Sequence, residues 1–125
     1  MSFIIGAVTL PRYPERIQYS VGADIKSYMY PGALPLLISF GNKADVLTLE
    51  GRLQAIGSTK ANLETNYINP LKALVATQVT LAAPDGRYDD TDWVFVKFDF
   101  DERPGWSRSF YIRCEFWKGS DITIL

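Results

Sequence analysis

Two stretches in the carboxyl-terminal half decide the fold, and they read WVFVKFDF (residues 93–100) and SFYIRCEFW (residues 109–117). Apolar and polar side chains alternate in both, which is the pattern of a β-strand with one face turned toward a core. In the second stretch the core face is predicted to hold Phe110, Ile112, Cys114 and Phe116. In the first stretch it is predicted to hold Val94, Val96, Phe98 and Phe100. The opposite face of the first stretch then holds Trp93, Phe95, Lys97 and Asp99.

Strand patterns also occur in the rest of the chain, although less clearly. Further strands are predicted at residues 3–10, 16–21, 45–53, 78–82 and 120–125, the last of them as an edge strand. Residues 22–35 have no regular period. Residues 34–40 form an apolar run that only Pro35 and Ser39 interrupt. The architecture of this segment is therefore not predicted.

A single helix is predicted after Gly57. Ser58 or Thr59 is the expected N-cap, because each has a hydroxyl that accepts a hydrogen bond from the first-turn amides. Apolar side chains then follow at helical spacing, at Leu63, Tyr67, Leu71, Leu74 and Val75. Asn69-Pro70 interrupts this pattern, because proline inside a helix removes a hydrogen bond. The two outcomes expected are a kinked helix over 59–76 or two short helices that meet at Asn69.

The order of these elements is β-rich, one helix, β-rich. This order predicts one mainly β domain with one helix (α+β) over residues 1–125. The expected architecture is an antiparallel β-sandwich or a split barrel flanked by an α-helix.

Composition excludes several classes of function. The 13 basic and 14 acidic residues give a net charge of −1, which does not supply the phosphate-neutralising surface that nucleic-acid binding needs. The chain has no histidine and only one cysteine, Cys114, so zinc sites that need imidazole and catalytic triads that need histidine are excluded. No apolar run approaches the roughly 20 residues that span a bilayer. We therefore expect no cofactor, no metal, no membrane contact and no sequence-specific nucleic-acid partner.

Carboxylates cluster twice, but neither cluster matches a known site pattern. Residues 85–92 contain four aspartates without the spacing of an EF-hand, and are predicted to form a solvated hairpin loop. Asp99, Asp101 and Glu102 suggest a carboxylate pair for glycoside hydrolysis. We interpret them instead as charges at a strand end and in a turn, and expect that the protein is not an enzyme.

The aromatic residues are the more informative feature, because tryptophan and tyrosine are enriched where proteins meet. Several lie on strand faces assigned away from the core, and two more precede the Pro31-Gly32 turn signal. The alternative is that the helix covers this second face. The candidate subunit-interface residues are Trp93, Phe95, Tyr111, Trp117, Tyr28 and Tyr30.

The order of short motifs resembles a known family. The motifs are, in chain order, Pro14-Glu15-Arg16-Ile17, Pro31-Gly32, Phe40-Gly41, Val46-Leu47-Thr48-Leu49-Glu50-Gly51, the helix, the Gly86 turn, Trp93-Val94-Phe95, and the strand over 110–117 followed by Lys118-Gly119. In order and spacing they resemble tail and baseplate ring proteins of tailed bacteriophages and contractile injection systems. The nearest comparisons are the amino-terminal domain of distal tail proteins and the U-type tail proteins.

The resemblance implies a β-sandwich or split barrel with a flanking helix, and no enzymatic activity. It also implies a homo-oligomeric ring, usually sixfold and coaxial with the tail tube, whose partners are other tail tube or baseplate proteins. The location implied is the virion tail or a tail-like particle, assembled in the host cytoplasm.

The main alternative is a small monomeric binding module for a carbohydrate or a protein ligand. Such a module would use exposed aromatic rings as a stacking platform, and the candidates are Trp93, Trp106 and Trp117. An enzyme that uses Asp99, Asp101 or Glu102 is the third hypothesis, which the missing catalytic motifs disfavour.

Overall fold

The structure is a computed structural model that describes residues 2–28, 32, 34, 36–42, 44–84, 86–88 and 90–119, with the side chains of residues 24, 40–42, 90 and 91 left out. The predicted edge strand at 120–125 and the candidate residue Tyr30 lie outside the described residues.

Nine strands and one helix make up the described part of the chain. The strands are β1 (Ile4–Ile5), β2 (Val8–Thr9), β3 (Arg16–Ser20), β4 (Ala23–Tyr28), β5 (Leu36–Asn42), β6 (Val46–Leu53), β7 (Gln78–Ala82), β8 (Asp90–Asp101) and β9 (Phe110–Lys118). Seven of them form one antiparallel sheet in the order β2-β1-β7-β8-β9-β6-β3, and β4 and β5 form a separate two-stranded ribbon. The predicted fold class, mainly β with one flanking helix, is confirmed, and the sheet is not closed into a barrel.

The seven-stranded sheet is strongly curled. Tyr19 of β3 and Trp93 of β8 belong to strands that are separated by β6 and β9, a distance of about 14 Å in a flat sheet. Their ring centroids are only 6.0 Å apart. The sheet therefore bends around the core, which lies on its concave face.

The buried face of β9 is as predicted, with alternating buried residues at Phe110, Ile112, Cys114 and Phe116. The neighbouring strand β6 is in register with it, so that Leu47 pairs with Phe116 and Leu49 with Cys114. These cross-strand rows form the centre of the core.

The face assignment of β8 is wrong in its first half. Trp93 and Phe95, predicted to face away from the core, are almost completely buried. The pairing of β8 with β9 shifts register between Phe95 and Lys97, which makes Val96 the extra residue of a β-bulge. One extra residue exchanges the two faces of a strand, since side chains alternate with a period of two.

Beyond the bulge the prediction for β8 is correct. Phe98 and Phe100 pack against the core, and Lys97 and Asp99 are exposed. The bulge thus lets β8 place aromatic rings in the core on both sides of residue 96. Val94, predicted to face the core, is only partly buried on the opposite face.

The helix, α1, is continuous over residues 60–74, and its N-cap is Thr59, whose hydroxyl oxygen accepts from the N–H of Asn62 at 3.3 Å. Its middle part, Glu64–Ile68, is a π-turn in which the N–H of Asn69 donates to the carbonyl of Glu64. Pro70 follows directly. Of the two predicted outcomes, the single helix is therefore the one observed, with a wider turn just before the proline.

The helix packs over the concave face of the sheet. Leu63, Ile68 and Leu71 are completely buried, and Ile68 joins the predicted stripe because a π-turn brings residues five apart onto one face. Lys60 and Lys72 lie over the rings of Phe110 and Phe100, at 5.5 and 5.0 Å from the ring centroids.

The ribbon of β4 and β5 continues the hairpin of β3 and β6. Together with the described residues Gly32 and Leu34 between its strands, it is called the arm below. Ser20 pairs with Val46 at the end of the sheet, and Ala23 pairs with Asn42 at the start of the arm. The six residues of β4 extend the hairpin by about 20 Å. The two arm strands pair closely with each other and make few contacts with any other described helix or strand.

Candidate functional site

The structure divides the predicted interface residues into two groups. Trp93 and Phe95 are core residues, so neither ring is available to a partner on the surface of the folded chain. Trp117 and Tyr28 are each 46% exposed, and Tyr111 is half-buried. Among the described candidates, the interface prediction therefore stays open at the last three, which lie on the convex face of the sheet and on the arm.

The arm is the most apolar exposed part of the described chain. Leu34 is 90% exposed and Leu37 is 65% exposed. Leu36 and Leu37 are consecutive in β5, so they point to opposite faces of the ribbon, and both are exposed. The other large exposed apolar side chains of the arm and its base are Val21, Ile25, Tyr28 and Ile38. Both faces of the arm are thus uncovered.

This arrangement is unusual for an isolated chain. A two-stranded hairpin on its own is at best marginally stable in water, and exposed contiguous apolar patches mark interaction sites. Between residues 21 and 42 the sequence has only two charged residues, Asp24 and Lys26. Tyr28 and Tyr30 were the only residues of this segment predicted at an interface, because the segment has no strand period; its low charge was the available signal.

A second apolar feature lies on the convex face at the base of the arm. Trp117 of β9 is flanked in register by Val46 of β6 and Val94 of β8. Around this row is an open groove of about 370 Å³. It is lined by Ala44, Ala76, Val94, Phe95, Val96, Trp117, Lys118 and Gly119. We call it the Trp117 groove.

The rest of the convex face is charged. Arg16, Glu50, Arg113 and Asp99 occupy one cross-strand row over β3, β6, β9 and β8, so that the signs alternate. Glu50 carboxylate oxygens lie 3.1 Å from Arg113 and 3.8 Å from Arg16. Opposite charges that face each other across strands stabilise a sheet modestly. This row separates the Trp117 groove from the far end of the convex face.

At that far end, aromatic rings are covered by arginines. The guanidinium of Arg52 lies 4.3 Å from the Trp106 ring centroid, and that of Arg103 lies 4.0 Å from the Tyr111 ring centroid. The Nε of Arg52 also donates to the buried Ser109 hydroxyl at 3.0 Å. Burial, and then the neighbouring Glu50, raise the pKa of Tyr111. The two rings are therefore engaged within the chain and do not form a free stacking platform.

Two of the three carboxylates considered for catalysis are paired with lysines. Asp99 lies 3.6 Å from Lys97, and Glu102 lies 2.9 Å from Lys60. Within the described ranges, no group of three or more histidine, cysteine, aspartate or glutamate side chains is placed to hold a metal ion. Burial raises the pKa of the Cys114 thiol far above its usual range, with a smaller contribution from Asp99. A thiol in this state is a poor nucleophile.

The exposed features are therefore surfaces suited to contacts. They are the apolar arm, the Trp117 groove at its base, and a charged row between the groove and the arginine-covered rings. The single helix of the described chain is too short to cross a membrane. In comparisons with known proteins, no family model and no curated protein sequence matches this chain.

Proposed function

We propose that this chain is a non-enzymatic structural subunit of a phage tail or contractile injection system, which forms a ring or hub at the tail or baseplate through contacts between copies. The observation that carries the proposal is the exposed apolar arm. A ribbon with Leu36 and Leu37 exposed on opposite faces needs a protein partner to bury them.

The symmetry of an assembly follows from the kind of surface that each copy offers. The arm is a projection, and the Trp117 groove is a concavity, so these two apolar patches are different. Contacts between different patches run head to tail, and they close into a ring when the rotation between copies permits. This supports a ring subunit, as does the resemblance of the motifs to tail ring proteins, which implies sixfold symmetry and neighbours in the tail tube or baseplate.

The alternative of a small binding module keeps one supporting observation. Of the three tryptophans proposed as a stacking platform, Trp93 is buried and Trp106 lies against Arg52. Only Trp117 is half-exposed, beside an apolar groove. If the chain is such a module, it is a monomer whose Trp117 fluorescence responds to a glycan or peptide ligand.

The experiment that tests the proposal is the mass in solution, measured by light scattering behind a sizing column over a range of concentrations. We expect a discrete multiple of 14.1 kDa for the natural chain. The double variant Leu34→Asp, Leu37→Asp should run as a monomer, because a docked arm cannot bury two carboxylates without large cost.

The matched control is Ile56→Asp, which adds a carboxylate at a fully exposed apolar residue outside the arm. It should leave the mass unchanged. A natural chain that stays monomeric at the highest concentration and forms no rings in electron micrographs contradicts the proposal.

A further inference from the structure

From the geometry of the two apolar surfaces we infer that the arm of one copy docks in the Trp117 groove of the next copy. This inference rests on the proposed function, since it names the contact that holds the ring together. It commits to a second copy of the same chain as the occupant of the groove.

The groove has the chemistry that the arm requires. Trp117 and Val94 line it, Ala44 and Ala76 contribute small side chains, and Lys118 brings a charge to its lining. Its volume of about 370 Å³ lies in the range of sites that bury several apolar groups. Tryptophan in such a pocket is the residue type most often found at the centre of protein interfaces.

The rest of the convex face does not suit the arm. Next to the groove lies the polar row of Gln18, Thr48, Glu115 and Lys97. The row of Arg16, Glu50, Arg113 and Asp99 follows, and its charges alternate in sign across the strands. Covering these ion pairs with leucine side chains would remove water from them without any compensating hydrogen bond. The charged row therefore limits apolar docking on this face to the end that holds Trp117.

The arm of the same copy is not placed to fill the groove. Ala44, which lines the groove, is two residues after the end of β5, so the groove lies at the base of the arm. Leu36 is six residues before Asn42, which puts it about 20 Å along the extended strand from that base. The exposed end of the arm reaches a neighbour more readily than its own base, which gives the head-to-tail contact expected of a ring.

Two variants with complementary defects test this contact. The arm variant Leu34→Asp, Leu37→Asp keeps an intact groove, and the groove variant Trp117→Glu keeps an intact arm. Ala44→Glu serves as a second groove variant, because Ala44 is exposed and lies outside the strands, so it tests the groove even if Trp117→Glu folds poorly. Each variant alone should be a monomer by light scattering.

Mixed in equal amounts, the arm variant and a groove variant should form a discrete heterodimer of twice 14.1 kDa, which cannot grow further. The intact groove in this heterodimer belongs to the arm variant. The groove variant Ala44→Glu still has its own Trp117. Once Trp117→Phe is added to that variant, the only Trp117 in the mixture belongs to the arm variant, so the fluorescence of residue 117 reports on the occupied groove alone. Quenching of that signal by acrylamide should fall severalfold on mixing.

Three results would overturn the inference, and they differ from failure of the proposed function. Groove variants that assemble like the natural chain, while arm variants do not, mean that the arm binds elsewhere in an intact ring. A mixture that stays monomeric means the same. The third result is that removal of residues 120–125 by itself increases the acrylamide quenching of Trp117 in the monomer. The groove would then be occupied by the chain's own terminal segment. A natural chain that never oligomerises removes the proposed function as well.

Discussion

The concave face of the sheet and the arm are built from similar residues, yet they differ completely in burial. Phe95 and Phe116 are fully buried on the concave face, whereas Leu34 and Leu37 of the arm are largely in water. The difference is what lies above each strand. The helix covers the concave face of the curled sheet, whereas the two-stranded arm makes few contacts with any other described helix or strand. Apolar sequence therefore specifies a core only where a further layer covers it.

The largest expected effect of this difference is on stability. Phe95→Ala should lower the free energy of unfolding by about 3–5 kcal/mol, because it leaves a cavity beside the Phe116 ring, whose centroid is 4.7 Å away. Leu37→Ala in the arm should change it by no more than about 0.5 kcal/mol. Both are measured by urea denaturation at a concentration where the chain is monomeric.

An equal loss in the two variants would break the comparison. It would show that Leu37 is already covered within the single chain, and the arm would then be part of the core and not a docking element.

The next largest effect is expected on stability when a glycine of the long hairpin is replaced. One glycine lies in the sheet part of the hairpin and the other at the base of the arm. A Cβ on Gly51 of β6 would lie 3.0 Å from the backbone nitrogen of Glu15 and 3.3 Å from the Cα of Pro14. Backbone atoms cannot move aside as a side-chain end can, so Gly51→Ala should cost about 1–3 kcal/mol. Gly22, at the base of the arm, has no atom within 4 Å of its Cβ position.

The control is therefore Gly22→Ala, which should leave stability unchanged or raise it by up to about 1 kcal/mol by restricting the unfolded chain. Thermal unfolding of the two variants gives the comparison. A loss at Gly22 as large as at Gly51 would mean that the base of the arm is as tightly packed as the sheet.

The sequence was sufficient to predict the parts of this fold that obey a simple period. The strand β9 alternates without interruption, so its buried face was predicted residue by residue and is confirmed. Leu47, Leu49 and Gly51 of β6, which lie at the same alternating spacing, are also buried. The mainly β class with one helix follows from such segments.

The parts that could not be predicted depend on tertiary structure. The bulge at Val96 exchanges the faces of β8, and an alternating sequence does not indicate where an extra residue is inserted. This one residue turned Trp93 and Phe95 from predicted surface residues into core residues. The π-turn in the helix added Ile68 to the buried stripe for the same kind of reason. The arm was missed because its strands have apolar residues on both faces, which gives no period.

A smaller effect is expected at the cap of the helix that covers the core. Thr59→Ala removes the hydroxyl that accepts from the N–H of Asn62 and should cost about 1 kcal/mol. Ser58→Ala is the matched control, since Ser58 was the other predicted cap and should have almost no effect. Urea denaturation measures the loss of stability in both variants. A larger loss for Ser58→Ala than for Thr59→Ala would show that Ser58, and not Thr59, caps the helix. Neither variant should alter assembly, because the helix covers the core and not the arm.

The smallest effect is a pH dependence that belongs to the core alone. Burial raises the pKa of the Cys114 thiol, so the native state keeps this proton where the unfolded chain, with a thiol pKa near 8.5, releases it. Since the unfolded state then binds fewer protons, stability must fall as the pH rises above the unfolded pKa. Between pH 7.5 and 9.0 the loss is about 0.8 kcal/mol.

Tyr111, whose pKa is also raised, does not interfere in this window, because unfolded tyrosine titrates near pH 10. Other groups are removed by comparison with Cys114→Ala, which should lose this part of the pH slope whatever its absolute stability. An arm variant such as Leu37→Ala should keep the slope of the natural chain. If Cys114→Ala retains the full pH slope of stability, the thiol already ionises in the folded protein. The centre of the sheet would then be open to solvent, as is expected of the arm alone.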